Sequence, residues 1–265
     1  MLTDRAMLDL SDGASIAAAL DAHRPWAVIN AAGWVRVDEA EDAESACFAV
    51  NCVGATGLAI AASARGIPTV SFSSDLVFDG TRDRSYTEAD TCAPLGAYGR
   101  SKAAMEAAIG ALAGQNLIVR TAAFFSPWGQ HNFAVHAVEA LAAGRRFAAA
   151  KDQIVSPAYV PDLCNAVLDE RIGGTDGILH VANQGAVHWA DFAVAVAEAC
   201  GLLAALVDPV PGAVFGWKAA RPPHVPLASR CMPSLESALQ AFAASPEVLE
   251  RIARAGQSAK ALQSA

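Results

Sequence analysis

The chain has 265 residues, of which 54% are hydrophobic and 17% charged, with a formal net charge of −8. That length holds one large domain or two small ones, and the apolar share supplies a core and excludes a disordered chain. The acidic balance, with both signs interspersed, argues against nucleic acid or an anionic membrane as partner.

Six scattered cysteines form no Cys-x-x-Cys pair. That argues against a zinc site or a disulfide framework and fits a reducing cytoplasm. No apolar run is read as reaching the ~18 residues of a membrane span, and the first residues do not resemble a signal peptide.

In chain order, residues 7–10 read as a short strand. Ser11 or Asp12 can cap a helix running to about His23, and Pro25 ends it. Residues 26–30 form a compact apolar strand. Ala31, Ala32 and Gly33 follow as a turn of small residues. Residues 42–64 carry a long helical pattern, 69–72 a strand, 98–113 a helix and 117–120 another strand. Strands alternating with helices at short spacing predict a parallel sheet covered on both faces. Further on, Asn132 starts a helix, 177–182 is a strand and 189–200 a helix. Residues 208–226 are Pro-rich, 233–242 and 246–255 are short helices, and the tail from 257 is loose.

The most informative stretch runs from Ser71 to Lys102. Tyr98 and Lys102 are four apart, so on a helix they share one face. Ser73 and Ser74 stand where the preceding strand should end. A hydroxyl donor, a phenol and an ammonium at one strand end suit protonation of an alkoxide as hydride arrives. A solvated Lys beside a half-buried Tyr is the plainer reading of the spacing alone. Asp75 reads equally as a turn-forming residue. Gly54-Ala55-Thr56-Gly57 imitates a phosphate loop but lies inside a helical pattern, where small residues allow close packing. His131 and His136 are five apart with no carboxylate at ligand spacing, so no metal site is expected.

These residues resemble the extended short-chain dehydrogenases/reductases, particularly sugar-nucleotide reductases of the dTDP-4-dehydrorhamnose reductase type. The matching pieces are Asn30 to Gly33, Val37 to Glu41, Asn51, Ser73 to Gly80, and Tyr98 to Lys102. They continue through Arg120-Thr121, Asn132-Phe133, Asp152-Gln153 and Ser156 to Leu163. The resemblance implies an α/β Rossmann-like sheet with helices on both faces and a smaller C-terminal substrate lobe. It divides the chain at 1–121 and 122–265. Against that pattern the first strand-turn-helix unit, with its glycine-rich turn, is expected to be missing.

The resemblance also implies NADPH or NADH as cofactor and a nucleotide sugar as substrate. Tyr98 becomes the general acid. Lys102, with an oxidised nicotinamide, lowers the Tyr98 pKa, and it also holds the nicotinamide ribose. Ser74 bonds the substrate carbonyl. Asp9, Leu10, Ala31, Ala32, Gly33 and Asn51 join Tyr98 and Lys102 on the cofactor side. Val37, Asp75, Leu76, Ala123, Phe124 and Arg221 fall on the substrate side.

Leu76 stands where those reductases carry a Tyr, and Ala122-Ala123-Phe124-Phe125 replaces an aromatic pair with a Trp, so the pocket is reshaped. A homodimer and a place in a longer chain are both open. Two other roles on the same fold compete: a non-catalytic binding module like a regulatory subunit of methionine adenosyltransferase, and an epimerase or dehydratase.

Overall fold

Four parallel strands form the central sheet in the order β1 (Val28–Asn30), β2 (Thr69–Phe72), β3 (Asn116–Arg120) and β8 (Gly177–His180). This computed structural model describes residues 1–130 and 132–263, with side chains as far as Gln257. Strand β3 shows why both faces are covered. Alternate residues point to opposite sides. Leu117 and Val119 pack with Leu163, Ala166 and Val167 of helix Val160–Ile172. Ile118 packs on the other side with Ala55, Ala59, Met105 and Ile109. Strand β1 pairs with β2 alone among the described residues.

Helix α1 (Gly13–His23) starts at Asp12, whose side chain accepts from the Ala14 amide. After β1 come α2 (Val37–Ala40), α3 (Glu44–Phe48), a π-helical turn over Ala49–Gly54 and α4 (Ala55–Ser63). The Gly-Ala-Thr-Gly run lies in this helical stretch, and a side chain at Gly54 would meet Leu10 at 3.0 Å. The span Glu44–Ser63 is long and apolar enough to cross a membrane by length and composition. That corrects the expectation that no run reaches span length. Yet α3 and α4 carry core residues packed against their neighbours.

Helix α5 (Ala97–Gly110) carries Tyr98 and Lys102 and packs across the sheet. Its N-terminus is met from far along the chain, because the Glu41 carboxylate accepts from the Ala97 amide at 2.8 Å. A carboxylate there also complements the helix dipole.

A second core gathers Phe125 of β4 (Phe124–Phe125), α6 (Phe133–Ala142), Phe192 and Phe242. Asn132 caps α6 by accepting from the Val135 amide. Strand β5 (Phe147–Ala150) pairs in parallel with β10 (Val207–Val210). The short strands β6 (Ile154–Val155), β7 (Ala158–Tyr159) and β9 (Val187–His188) complete this part. Helix α7 is Val160–Ile172, α8 Trp189–Ala199, α9 Leu235–Ala243 and α10 Pro246–Gln263.

Two expectations need correction. Residues 7–10 are a turn and coil, not a strand. The Asp4 carboxylate accepts from the Ala6 and Met7 amides, and Asp9 accepts from the Ser11 amide. Such local bonds compete with strand pairing. The tail expected to be loose from 257 continues as helix to Gln263. Residues 264 and 265 lie outside the described residues, as does His131. His136 binds the Gln130 carbonyl at 2.9 Å.

Candidate active site

The site grows from the end of β2. Ser74, two residues past the strand, caps the 3-10 turn Asp75–Val77, its hydroxyl accepting from the Leu76 amide at 3.1 Å and donating to Asp75 Oδ1 at 3.0 Å. Asp75 therefore begins the turn, but Ser74 supplies the cap. Helix α5 lies against this turn, and the Tyr98 phenol comes close enough to the Ser74 hydroxyl to feel it. Lys102 donates to the Phe72 carbonyl at 2.9 Å, and its Nζ lies 5.9 Å from the Tyr98 ring centre. The structure thus brings Ser74, Tyr98 and Lys102 to one strand end.

Burial sets the electrostatics. It pushes the Tyr98 phenol well above its usual value, and the nearby Asp75 carboxylate adds to the rise. The phenol pKa is thus raised by the protein's own groups, and Lys102 is not among the causes. Desolvation of the phenolate outweighs the favourable influence of Ser74. A phenol that stays protonated near neutrality is in the form that donates. Burial brings Lys102 down to about 8, against the Cys47 and Glu106 charges that favour the ammonium. Burial also lifts Asp75 to about 7, against bonds from Ser74 and the Leu76 amide.

Asp75 predicts a pH-dependent stability. Its folded pKa, about 7, lies above the ordinary 3.8. The folded chain therefore holds a proton that the unfolded chain has released between these values. This contribution is complete below pH ~4 and is lost as pH rises through ~7. Asp75→Asn removes the loss. The variant should be more stable than the parent at pH 8 by about 2–4 kcal/mol, with the gap closing toward pH 5. Thermal melts across that range check it, and a constant gap contradicts it.

A cavity of about 580 Å³ opens beside the trio. Val37, Asp75, Leu76, Ala123, Phe124 and Arg221 all line it, together with Ser74 and Tyr98. Ala123 is held at φ 43°, a left-handed backbone rare for a residue with a side chain. Arg221 donates to Asp38 at 3.0 Å, and its guanidinium lies 5.4 Å from the Trp217 ring centre. Trp217 stacks on Phe215 at 4.8 Å.

The cofactor-side residues lie elsewhere. Ala31 and Ala32 are exposed at the end of β1. Asn51 grips the next segment, accepting from the Trp34 amide at 2.7 Å and donating to the Trp34 carbonyl at 3.2 Å. A side chain at Gly33 would begin 3.1 Å from Asn51 Oδ1 and 3.5 Å from Lys102 Nζ. Asp9 is engaged by Ser11 and Arg5, which hold its carboxyl down at about 2. Leu10 packs with Ile16, Leu20 and Leu58.

Sequence reasoning missed several cavity walls. Phe133, Phe147, Trp189 and Phe215 arrive from four separate segments of the second half. Phe124 lines the cavity, whereas Phe125 is fully buried in the second core and Trp128 is exposed and bonded to Glu247. Glu106 was also missed, although its place four residues after Lys102 was visible.

A parallel α/β sheet with a Ser at one strand end and a Tyr-x-x-x-Lys helix laid across it defines the short-chain dehydrogenase/reductase class. Comparison with known proteins narrows this. The model of the RmlD substrate binding domain matches residues 1–247, and the chain belongs to that family.

The chain is 36% identical over 205 residues to a dTDP-4-keto-6-deoxy-D-glucose reductase of Streptomyces niveus, covering 77% of this chain and 71% of that one. It is 39% identical over 209 residues to a dTDP-4-dehydrorhamnose reductase of Mycobacterium tuberculosis, covering 77% and 68%. Among solved structures it resembles the dTDP-4-dehydrorhamnose reductase of Bacillus anthracis in complex with NADP. The TM-score is 0.85 and the identity 30%, with 91% of this chain and 88% of that one covered. A UDP-glucose 4-epimerase of Thermus thermophilus, at 19% identity and TM-score 0.75, shares the fold alone.

Proposed function

We propose that this chain reduces a keto group on a nucleotide-linked deoxysugar, with NADPH as the hydride source. The observation that carries the reading is the Tyr98 phenol and the Ser74 hydroxyl side by side on the wall of the 580 Å³ cavity. The relatives named above, including the one complexed with NADP, support the reaction class.

The residues present fit the nicotinamide-ribose half of such a cofactor. Ala31 and Ala32 leave the end of β1 uncovered, and Gly33 leaves open the space beside Lys102 Nζ. In this reading Lys102 holds the ribose, with Asn51 keeping the adjoining backbone in place. Asp9 and Leu10 are assigned to the adenine end. When bound, the nicotinamide supplies the hydride.

The protein's work is positional. Tyr98 gives its proton to the carbonyl oxygen as charge develops there. Ser74 turns its proton from Asp75 to the same oxygen when the substrate enters. Lys102, an ammonium at neutral pH, offsets the negative charge left on Tyr98. Residues 1–121 hold the cofactor and 122–265 most of the substrate. Leu76, Ala123, Phe124 and Val37 offer the sugar an apolar wall. Arg221 is assigned to the diphosphate, which suits a fork of guanidinium donors.

The experiment is an assay of NADPH oxidation with a dTDP-4-keto-6-deoxy sugar. Turnover that depends on the sugar supports the proposal, and its absence with intact, folded protein contradicts it. Arg221→Met should raise KM about 10- to 100-fold, since a hydrogen bond to a charged group contributes about 1.5–3 kcal/mol, and leave kcat within about twofold. An unchanged KM removes Arg221 from the diphosphate.

A further inference from the structure

Tyr98, Lys102 and Glu106 recur at every fourth residue of α5 and so share one face. The reaction uses the first two. The third is a carboxylate buried with Arg120, the two side chains only 4% and 3% exposed. Arg120 grips it twice, Nε to Oε1 at 2.9 Å and Nη2 to Oε2 at 2.6 Å. Burying such a pair costs several kcal/mol of desolvation per ion, and apolar side chains often serve stability equally well. Stability alone is therefore a weak reason for a carboxylate here.

What Glu106 touches is the strand end that carries Ser74. Ser73 Oγ donates to Glu106 Oε1 at 2.5 Å. One turn earlier, Lys102 donates to the carbonyl of Phe72 at 2.9 Å. Helix α5 thus grips two consecutive residues, Phe72 through its carbonyl and Ser73 through its hydroxyl. The Ser73 amide is fixed from the other side by the Val119 carbonyl at 2.7 Å. The next residue is Ser74, which must meet Tyr98 of the same helix.

We propose that Glu106 is a positioning residue of this site: held by Arg120, it pins Ser73 so that Ser74 meets Tyr98, and it sets a negative charge on the Lys102 face of α5. The part concerning turnover rests on the reductase reading. The contacts do not.

The neighbours define what a test must control. Tyr98 and Glu106 on α5 and Cys47 of α3 are the titratable groups facing Lys102. Facing Glu106 are Arg120 of β3, Cys92, which donates to Oε2 at 3.4 Å, and Lys102. His180 and Glu88 lie behind Arg120. The Glu106 charge favours the Lys102 ammonium.

Two variants of the full chain separate positioning from simple support. Ser73→Ala keeps the Arg120–Glu106 pair and removes only the pin. It should lower kcat about 10- to 100-fold, the cost of a small misplacement at a reacting centre, with KM within about twofold. Turnover within about twofold of the parent overturns the proposal. Glu106→Gln should lower the Lys102 titration midpoint by about one pH unit, read by NMR on the protein labelled at lysine Cε. Ser73→Ala should leave that midpoint in place. A folded Glu106→Gln protein with the midpoint unmoved also overturns the proposal. If Glu106→Gln does not fold, Ser73→Ala decides. If the parent shows no turnover, the reductase reading fails separately. The Tyr98 Cζ resonance then decides: it should move in Ser73→Ala as Ser74 shifts relative to the phenol, and an unmoved resonance overturns the positioning claim.

Discussion

Replacing Tyr98 by Phe is expected to abolish measurable reduction while the protein keeps its fold. General acid catalysis contributes about 10²–10⁴-fold, and no neighbouring group can take over. The Ser74 hydroxyl can donate a hydrogen bond, but an aliphatic alcohol is a weaker acid than a phenol and does not surrender its proton. Lys102 faces the Phe72 carbonyl, and its pKa of about 8 comes from burial in that place. The phenyl ring fills the same space, so the loss is confined to one hydroxyl and its approach to Ser74. The stability change should stay within about 1.5 kcal/mol, the net worth of a typical hydrogen bond. Steady-state assay beside a thermal melt checks both halves. Turnover within tenfold of the parent removes Tyr98 from the acid's role.

The second large effect concerns the residue next to it. A side chain at Gly99 would begin 2.1 Å from the Leu76 carbonyl oxygen and 2.9 Å from Pro94 Cβ. The first obstacle is backbone, held in the turn that Ser74 caps, so it cannot swing aside. Helix α5 approaches the Asp75–Val77 turn this closely only because position 99 has no Cβ. Gly99→Ala must separate the two elements or distort the turn. A cost of about 2–4 kcal/mol follows from overpacking with a backbone shift. Turnover should fall as well, because the same shift draws Tyr98 away from Ser74. Gly110→Ala at the far end of the helix meets nothing within 4 Å and should leave both properties near the parent's. Urea unfolding of the two variants makes the comparison. Equal midpoints contradict the close-approach account.

Much of this was readable before any coordinates. The Tyr98–Lys102 spacing, the apolar strand before Ser74 and the small residues after Asn30 are local patterns, and the elements that carry them are local too. Five of the six substrate-side residues could be named because they lie in or near matching motifs, and Arg221 stands out as a cation in the Pro-rich stretch. The cavity as a whole could not. Phe133, Phe147, Trp189 and Phe215 meet only because the second core folds their segments together. Each alone looks like ordinary core.

The Glu106 contacts were hidden in the same way, since Arg120 comes from β3 and Ser73 from the segment after β2. The raised pKa of Tyr98 was not foreseen, because spacing shows which charges are near but not how completely water is excluded. The turn at 4–9 also escaped. Apolar residues there suggested a strand, while Asp4 and Asp9 captured the backbone amides locally.

Hydride is expected to pass from a nicotinamide to a sugar carbonyl beside Tyr98. The most direct measurement uses NADPH carrying deuterium at both C4 positions and a dTDP-4-keto-6-deoxy sugar, with mass spectrometry of the products. The predicted result is a reduced sugar heavier by a single deuterium on its former carbonyl carbon. A reduced sugar without deuterium, or an intact keto sugar beside folded protein, would contradict it.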